Sequence, residues 1–279
     1  MANAPKTSTV KAKNEEKGNS TSNVFASLAI IICFIIGTCV YKYIMGDPSN
    51  FVDNNPENQP LPGNYFGMVY HAGVIVPVLL SLFLMVWVFS VERFIVISRA
   101  SGKGNVGNFV RRVQSLIAGG NIDSAVSECD KQKGSVANVI KAGLLKYKDV
   151  SANPNLDTDQ ATVAIQKEIE EATALEMPML EKNLTIIATL VSIGTLTGLL
   201  GTVTGMIRAF AALATGGQPD SAALANGISE ALVNTATGIA TSTIAIIFYN
   251  IFTSKIDTLT YSIDEAGFSI VQTYAANHK

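Results

Sequence analysis

The chain has 279 residues, of which 48% are hydrophobic and 15% are charged, and its formal net charge is -2. This charged fraction is well below the roughly 25% of an average soluble domain, so the composition favours an integral membrane protein. The weakly acidic balance excludes the basic surface that binding to nucleic acid requires. The three cysteines and two histidines have no metal-ligand spacing, so neither a disulfide framework nor a metal site is predicted, and no cofactor is expected.

Four apolar segments reach the length of about 20 residues that a membrane-spanning helix needs. They are Val24–Met45, Ala72–Val91, Asn183–Ile207 and Ala231–Ser254. The polar, low-complexity residues 1–23 predict a disordered tail. Because this tail is long and no A-x-A-like cleavage site follows the first segment, we interpret that segment as a retained helix rather than as a signal peptide.

The distribution of Lys and Arg orients these segments, because such residues are enriched in cytoplasmic loops. Four lysines lie in 1–23 and twelve Lys or Arg residues lie between Arg93 and Lys182, whereas 47–71 and the turn at 213–222 contain none. Both termini are therefore predicted in the cytoplasm. The predicted order is a disordered tail (1–23), an extra N-terminal membrane helix (24–46), an outer loop (47–71), a second membrane helix (72–97), a cytoplasmic helical domain (98–182), a membrane hairpin (183–255) and a cytoplasmic tail (256–279).

The cytoplasmic region has the apolar spacing of helices and no strand pattern of any strength. Apolar residues predict a helix over Val106–Ile117, and Gly119-Gly120-Asn121 predicts its end, with Asn121 as the N-cap of the next helix. A third helix is predicted around Val136–Leu145. Asp157–Gln160 resembles a capping box before a long helix that continues into the third span, with Pro178 as a kink or junction.

The hairpin places hydroxyl side chains at matching depths. Counted from the centre of the turn near Gln218, Thr202 lies 16 residues before and Thr235 lies 17 residues after. Further hydroxyls on the same helix faces, at spacings of three and seven, are Ser192, Thr195 and Ser242. Two interpretations stay open. Such hydroxyls commonly bond the carbonyl four residues earlier in their own helix, or, in an oligomer, they line a narrow and weakly hydrated lumen.

Small and charged residues accompany these hydroxyls. Four glycines in the third segment permit close helix packing: Gly194, Gly198, Gly201 and Gly205. Arg208 and Glu230 enter the membrane zone, where charges are costly and usually paired. We interpret them as a structural ion pair, while a part for Glu230 in ion entry stays open. The hairpin core has no other carboxylate and no histidine, so a transported proton requires a carboxylate from a partner chain.

Three motifs of the hairpin resemble one known family. Gly198-Leu-Leu-Gly-Thr-Val203, continuing to Phe210, resembles the signature GLxGTVxGxxxxF, and the run from Glu230 to Gly238 resembles EALxxTAxG. Tyr249-Asn250-x-Phe252 resembles the YNxF that closes the last helix. In this order and at this spacing, the motifs are similar to those of the ExbB/TolQ branch of the MotA/TolQ/ExbB family. The clear similarity covers about 180–256, and weaker similarity extends over 72–97 and the cytoplasmic helices.

The resemblance implies a subunit of an energy-transducing motor in the bacterial inner membrane. Family members form a pentameric ring around the membrane helices of ExbD- or TolR-like partners, and proton flow drives movement. In the ExbB case that movement reaches TonB-dependent outer-membrane transporters through a TonB-like protein. The resemblance implies pore-facing positions for Thr202 and Thr235, an outer-pore position for Glu230, and a proton-carrying aspartate on the single-span partner. An ExbB-like role is expected before a TolQ-like role, and both before a MotA-like stator.

The sequence departs from the family pattern at three places. Thr195 and Ile244 stand where the family often has prolines, and the helix at 24–46 is an addition to the usual three spans. An alternative of another class is a passive membrane scaffold in which the small residues only pack helices. No paired carboxylates, nucleophile–base set or phosphate-binding loop indicates an enzyme.

Overall fold

The computed structural model describes residues 26–153, 156–214 and 220–278. No strand occurs in these ranges, where β-type pairing is confined to an isolated bridge between Phe51 and Pro60. Four helices are long and apolar enough to cross a membrane, which confirms the predicted all-α membrane class. The predicted disordered tail 1–23 and the centre of the turn at 213–222 lie outside the described residues. The predicted ring concerns an assembly and stays a prediction.

The second membrane helix begins later than its apolar segment. Ala72 and Gly73 form a turn in which Gly73 adopts a φ of +88°, and the helix starts at Val76. The predicted outer loop contains one short helix and two single 3-10 turns, at Pro48–Asn50 and Val52–Asn54. The α-helices of the described ranges are α1 (Ala26–Met45), α2 (Tyr65–Tyr70), α3 (Val76–Ala100), α4 (Val106–Ala118), α5 (Ile122–Gln132), α6 (Ser135–Ser151), α7 (Thr158–Glu181), α8 (Leu184–Ala214) and α9 (Ser221–Asn277).

The described residues divide into two compact units. Unit 1 comprises the described residues within Met1–Ser90 and Ile186–Ile247, and unit 2 those within Val91–Thr185 and Phe248–Lys279. Unit 1 therefore contains α1, α2 and most of the hairpin, whereas unit 2 contains α4 to α7 and the second part of α9.

In unit 1, α1 packs through a stripe of small residues. Ala29 and Cys33 are buried, and a side chain at Gly37 would collide with Ser81 of α3. The opposite face carries exposed leucine, isoleucine and phenylalanine side chains, as expected for a helix that contacts lipid. The last six residues, Val40–Met45, have π-helical geometry, and the N–H of Gly46 donates to Tyr41 O at 3.0 Å.

In unit 2, the predicted helix at Val106–Ile117 is confirmed as α4, and it ends at Gly119 as expected. Asn121 occupies the N-cap position of α5, but its side chain makes no capping hydrogen bond. Of the apolar residues predicted on one face of α6, Leu144 is buried, whereas Leu145 is 48% exposed. The helices α6 and α7 approach closely, because a side chain at Gly143 would lie 2.6 Å from Ile169 Cγ1.

The junction between α7 and α8 lies at Asn183 and not at Pro178. Pro178 is inside the last turn of α7, and the N–H of Lys182 still donates to its carbonyl at 3.1 Å. Asn183 then adopts a φ of +63°, a left-handed conformation that asparagine tolerates better than most residues. At the other end of α7, the Asp157 side chain accepts from the N–H of Thr158 at 2.9 Å, which is a simple cap and not the predicted capping box.

The segment predicted as a tail, 256–279, is helical to Asn277 and belongs to the core of unit 2. The buried residues of this part of α9 recur at helical spacing: Leu259, Ile263, Ala266, Ile270 and Tyr274. Tyr274 packs edge-on against Tyr147 of α6 with ring centroids 4.9 Å apart. In the hairpin, α8 and α9 run without interruption through Thr195 and Ile244, the two positions where the family often has prolines.

Candidate functional site

A seam of glycines joins α8 to α9. Its α8 members are buried and follow one face of the helix: Gly194, Gly198, Gly201 and Gly205. A Cβ added at Gly205 would lie 2.7 Å from both the N of Ala231 and the O of Gly227, so the two backbones touch there. Gly238 of α9 makes the matching approach, with an added Cβ 2.7 Å from Gly194 O. This close spacing determines which side chains meet beside the seam.

Thr202 and Thr235 meet directly beside it, and their hydroxyls hydrogen-bond to each other. Thr235 Oγ1 also lies 2.9 Å from Ala231 O, and Thr202 Oγ1 lies 3.3 Å from Gly198 O. Each hydroxyl has one proton to donate. Either hydroxyl can therefore donate to the other, while the second donates to the carbonyl four residues earlier in its own helix. The pair therefore combines local backbone bonding with a contact across the two helices.

A second hydroxyl pair repeats this arrangement one heptad away. Thr195 Oγ1 donates to Ser242 Oγ at 2.8 Å. Seven residues separate the two pairs on each helix, a rise of about 10 Å, so one antiparallel register forms both. Ser192 lies one helical turn before Thr195, is exposed, and takes part in neither pair. The structure thus brings together four of the five predicted hydroxyls, and a pore-facing position stays a prediction for all five.

The ion pair between Arg208 and Glu230 lies on the other side of the first hydroxyl pair. Arg208 Nη1 is 2.9 Å from both carboxylate oxygens of Glu230. Glu230 is 4% exposed, whereas the Arg208 side chain is 54% exposed. A Cβ added at Gly73 would lie 3.0 Å from Glu230 Cδ, so the backbone of Gly73 packs against the carboxylate. Five residues of α9, a rise of about 8 Å, separate Glu230 from Thr235.

Asn234 is a buried polar residue of this site that the sequence analysis missed. It lies one turn after Glu230 and is fully buried, and its Nδ2 donates to Ala72 O at 2.9 Å. Its side chain packs on Gly201, where an added Cβ would lie 2.7 Å from Asn234 Cγ. Its Oδ1 is buried without a hydrogen-bond partner in the described chain. An amide side chain next to Thr235 in an apolar segment indicates a buried hydrogen bond, but its acceptor, Ala72 O, lies 162 residues away in the sequence.

These side chains can solvate and orient an ion, but most of them cannot carry a proton. Hydroxyls and amides donate and accept hydrogen bonds without titrating near neutral pH. The apolar segments 183–207 and 231–254 contain no carboxylate, and the adjacent Glu230 is already paired with Arg208. Among the described residues, no group of three or more His, Cys, Asp or Glu side chains could hold a metal ion. The site therefore has the chemistry of a polar path through an apolar helix pair.

The four membrane-length helices define a multi-pass α-helical membrane protein, and polar side chains meet between two of these helices. A sequence model of the MotA/TolQ/ExbB proton channel family matches residues 131–265, a region that contains both hydroxyl pairs, Glu230 and Asn234. Over this region the chain is similar to the MotA/TolQ/ExbB proton channel family, which confirms the resemblance that its motifs indicated.

Individual relatives carry both names of the branch. The Tol-Pal system protein TolQ of Pseudomonas aeruginosa is 33% identical over 135 residues, which cover 48% of this chain and 58% of that protein. The biopolymer transport protein ExbB of Pseudomonas putida is 26% identical over 145 residues, covering 52% of this chain and 44% of that protein. ExbB of Neisseria gonorrhoeae is 27% identical over 201 residues, covering 67% and 88%. The chain spans about half of the length of the first two relatives.

Proposed function

We propose that this chain is the ring-forming, ExbB-like subunit of a bacterial inner-membrane motor that uses proton-motive force to energise TonB-dependent outer-membrane transport. The Thr202–Thr235 pair carries the proposal. Whichever hydroxyl donates to the other, both oxygens still have at least one lone pair free to accept a hydrogen bond. Lipid tails offer no donor, whereas a hydrated lumen does. A threonine pair in this position therefore suits the wall of a narrow ion path.

A partner chain completes this path. The segments 183–207 and 231–254 contain no Asp, Glu or His, and proton transfer needs a group that gains and loses a proton. An ExbD- or TolR-like partner with one membrane helix supplies an aspartate, inside a pentameric homo-oligomer of this chain. Exposed apolar residues of α8, such as Leu196, Val203 and Ile207, then face neighbouring subunits or membrane lipid. A TonB-like protein receives the movement.

The proposed topology places both termini and the helical domain at 98–182 in the cytoplasm and residues 47–71 in the periplasm. Sixteen Lys or Arg residues in 1–23 and 93–182, against none in 47–71, support this orientation. The surface of unit 2 carries ion pairs that suit an aqueous compartment, including Lys141 with Asp130 at 2.5 Å and Lys131 with Glu128 at 2.6 Å.

The test is purification of the complex from its native membrane, followed by reconstitution. We expect a short co-eluting chain with one membrane helix and an embedded aspartate, identified by mass spectrometry. Proteoliposomes loaded with pyranine and given a potassium diffusion potential should then show proton flux that disappears when that aspartate is replaced by asparagine. A complex without such a partner and without flux would support the passive scaffold instead. Repeating the assay with a sodium gradient distinguishes the two ions.

A TolQ-like role in envelope maintenance is the second candidate. The identity of 33% to the Pseudomonas aeruginosa TolQ favours it, against 26% and 27% to the two ExbB proteins. Deletion of the gene separates the two roles. Loss of TonB-dependent uptake with an intact envelope supports the ExbB-like role, whereas sensitivity to detergents with normal uptake supports the TolQ-like one. A MotA-like stator would give loss of swimming instead.

A further inference from the structure

Residues 46–75 join α1 to α3 and are here called the α1–α3 connector. This connector packs on the end of α1 and hydrogen-bonds to it. Tyr41 Oη donates to Tyr70 O at 2.9 Å, and the two rings stack with centroids 4.8 Å apart. Asn50 Nδ2 donates to Met45 O at 3.0 Å and so satisfies a carbonyl at the end of α1. The end of α1 and the α1–α3 connector therefore form one hydrogen-bonded piece.

This piece is also attached to α9. Ala72 O accepts from Asn234 Nδ2 at 2.9 Å, and Val233 packs against the apolar cluster around Ala72. The next residue, Gly73, lies so close to α9 that an added Cβ would be 3.0 Å from Glu230 Cδ. Asn234 and Glu230, which are one helical turn apart on α9, therefore both contact the turn formed by Ala72 and Gly73.

The α1–α3 connector and the first turns of α9 also line a half-open pocket of about 230 Å³. Gln59 and His71 line it from the connector, and Asn226 and Ser229 line it from α9. Its size suits several water molecules, to which these four polar side chains can hydrogen-bond. Ser229 is the residue before Glu230, so the connector shapes the space next to the ion pair.

We infer that α1 and the α1–α3 connector position the Glu230–Arg208 ion pair at one end of the polar path that the two hydroxyl pairs form between α8 and α9. Tyr41, Gly73 and Asn234 are the positioning residues. This inference rests on the proposed function for its effect on ion flux, but its geometry is independent of that function. It gives the additional N-terminal helix a part in the ion path.

The physical reason lies in the freedom of the two charged side chains. Arg208 is a long side chain with 54% of its surface exposed, and fixing such a chain in one geometry costs rotamer entropy. The turn at Gly73 limits the space of the Glu230 carboxylate on one side. Asn234 fixes that turn even though its own Oδ1 is left without a partner, and such an orphaned acceptor is costly. An apolar residue would avoid that cost but would lose the bond to Ala72.

A double-mutant cycle on thermal unfolding of the purified complex tests the contact at Gly73. Gly73→Ala should lower Tm, both through backbone strain at positive φ and through collision with Glu230. In a Glu230→Ala background the collision with Glu230 is absent, and only a 3.1 Å approach to Arg208 Nη1, the end of a flexible side chain, remains. The decrease should therefore be at least halved. Gly63→Ala is the matched control, because Gly63 also has a positive φ, +81°, but nothing lies within 4 Å of an added Cβ. Its decrease should be the same in both backgrounds.

Flux measurements test the part of Tyr41. Tyr41→Phe removes the donor to Tyr70 O but keeps the ring, so we expect proton flux to decrease severalfold while assembly is unchanged. The same change in a Glu230→Gln background should leave the remaining flux unaltered. Tyr43→Phe, at an exposed tyrosine of the same helix end, should have no effect in either background.

Two results would overturn the inference. One is an equal Tm decrease for Gly73→Ala with and without Glu230, and the other is a Tyr41→Phe complex with the flux of Tyr43→Phe. The double-mutant cycle at Gly73 and Glu230 is measured by thermal unfolding and does not depend on proton flux. A complex that shows the coupling at Gly73 but conducts nothing would therefore refute the proposed function and keep the positioning geometry.

Discussion

Arg208 and Glu230 form an ion pair whose two members differ in their access to water. One guanidinium nitrogen, Nη1, lies 2.9 Å from both carboxylate oxygens, but Glu230 is 4% exposed and the Arg208 side chain is 54% exposed. The carboxylate depends on the guanidinium for charge compensation, whereas the guanidinium reaches water without its partner. The pair therefore responds unequally to the loss of either side chain.

The first prediction follows from this inequality. Arg208→Met leaves a buried, unpaired carboxylate and should lower the free energy of unfolding by about 1–3 kcal/mol. Glu230→Gln should cost less, because it leaves no buried charge. The double variant should recover part of the loss caused by Arg208→Met. Thermal unfolding of the purified complex checks the order, and a double variant less stable than Arg208→Met alone would contradict it.

The second prediction concerns the glycine seam. Gly205→Ala should destabilise the hairpin by about 1–3 kcal/mol, because the new Cβ meets backbone atoms of Ala231 and Gly227 that cannot move separately. Gly119→Ala is the matched control, since its nearest contact would be an ordinary 3.5 Å. That change should alter stability by less than about 0.5 kcal/mol. Equal unfolding temperatures for the two variants would contradict the close approach of α8 and α9.

The third prediction concerns Arg93, a buried arginine of unit 2. Its Nη1 donates to the carbonyls of Leu180 at 3.1 Å and Met179 at 3.3 Å, at the end of α7, and it pairs with Glu92. Arg93→Met removes these bonds and should cost about 2–4 kcal/mol, since buried carbonyls and a carboxylate lose their donor. Arg93→Lys should recover only part, because an ammonium lacks the planar fork of donors. The exposed Arg99 of the same helix supplies the control, and Arg99→Met should unfold like the unchanged protein.

The fourth prediction concerns Cys129, whose burial raises the pKa of its thiol to about 12. Only the thiolate reacts with maleimides, so peptide mass spectrometry should find Cys129 unlabelled at pH 8 until the protein is unfolded. Because the folded pKa lies above the ordinary value of 9.0, the associated stability is complete below about pH 9 and is lost as the pH rises towards 12. Ser127→Cys in a Cys129→Ala background places an exposed thiol on the same helix. That thiol should be labelled at once, and equally fast labelling of native Cys129 would refute its burial.

Regular geometry made part of the site predictable from sequence. A helix rises by a constant amount per residue, so counting outward from a short turn was enough to match Thr202 with Thr235. The same register pairs Thr195 with Ser242, seven residues further on each helix. Glycines at steps of three and four likewise indicated one packing face, because the helical period fixes which residues share a side.

Tertiary contacts made the rest unpredictable. Asn234 gains its role from the carbonyl of Ala72, and no local pattern indicates a partner 162 residues away. Pro178 suggested a junction because proline interrupts helices, but it lies in the last turn of α7. The helix ends instead near Asn183, where φ becomes positive. The helical end of α9 did have a signal, in the apolar spacing from Leu259 to Tyr274, which the interpretation as a tail overlooked.

Proton flux through the reconstituted complex after removal of single hydroxyls tests the central claim most directly. Thr202→Val and Thr235→Val keep the volume of the side chain but remove the groups that hold water, whereas Thr202→Ser and Thr235→Ser keep the hydroxyl. We predict that each valine variant assembles normally and conducts at least about tenfold less, a barrier increase of about 1.4 kcal/mol. Each serine variant should retain most of the flux. Full flux in both valine variants would contradict a path along the Thr202–Thr235 pair.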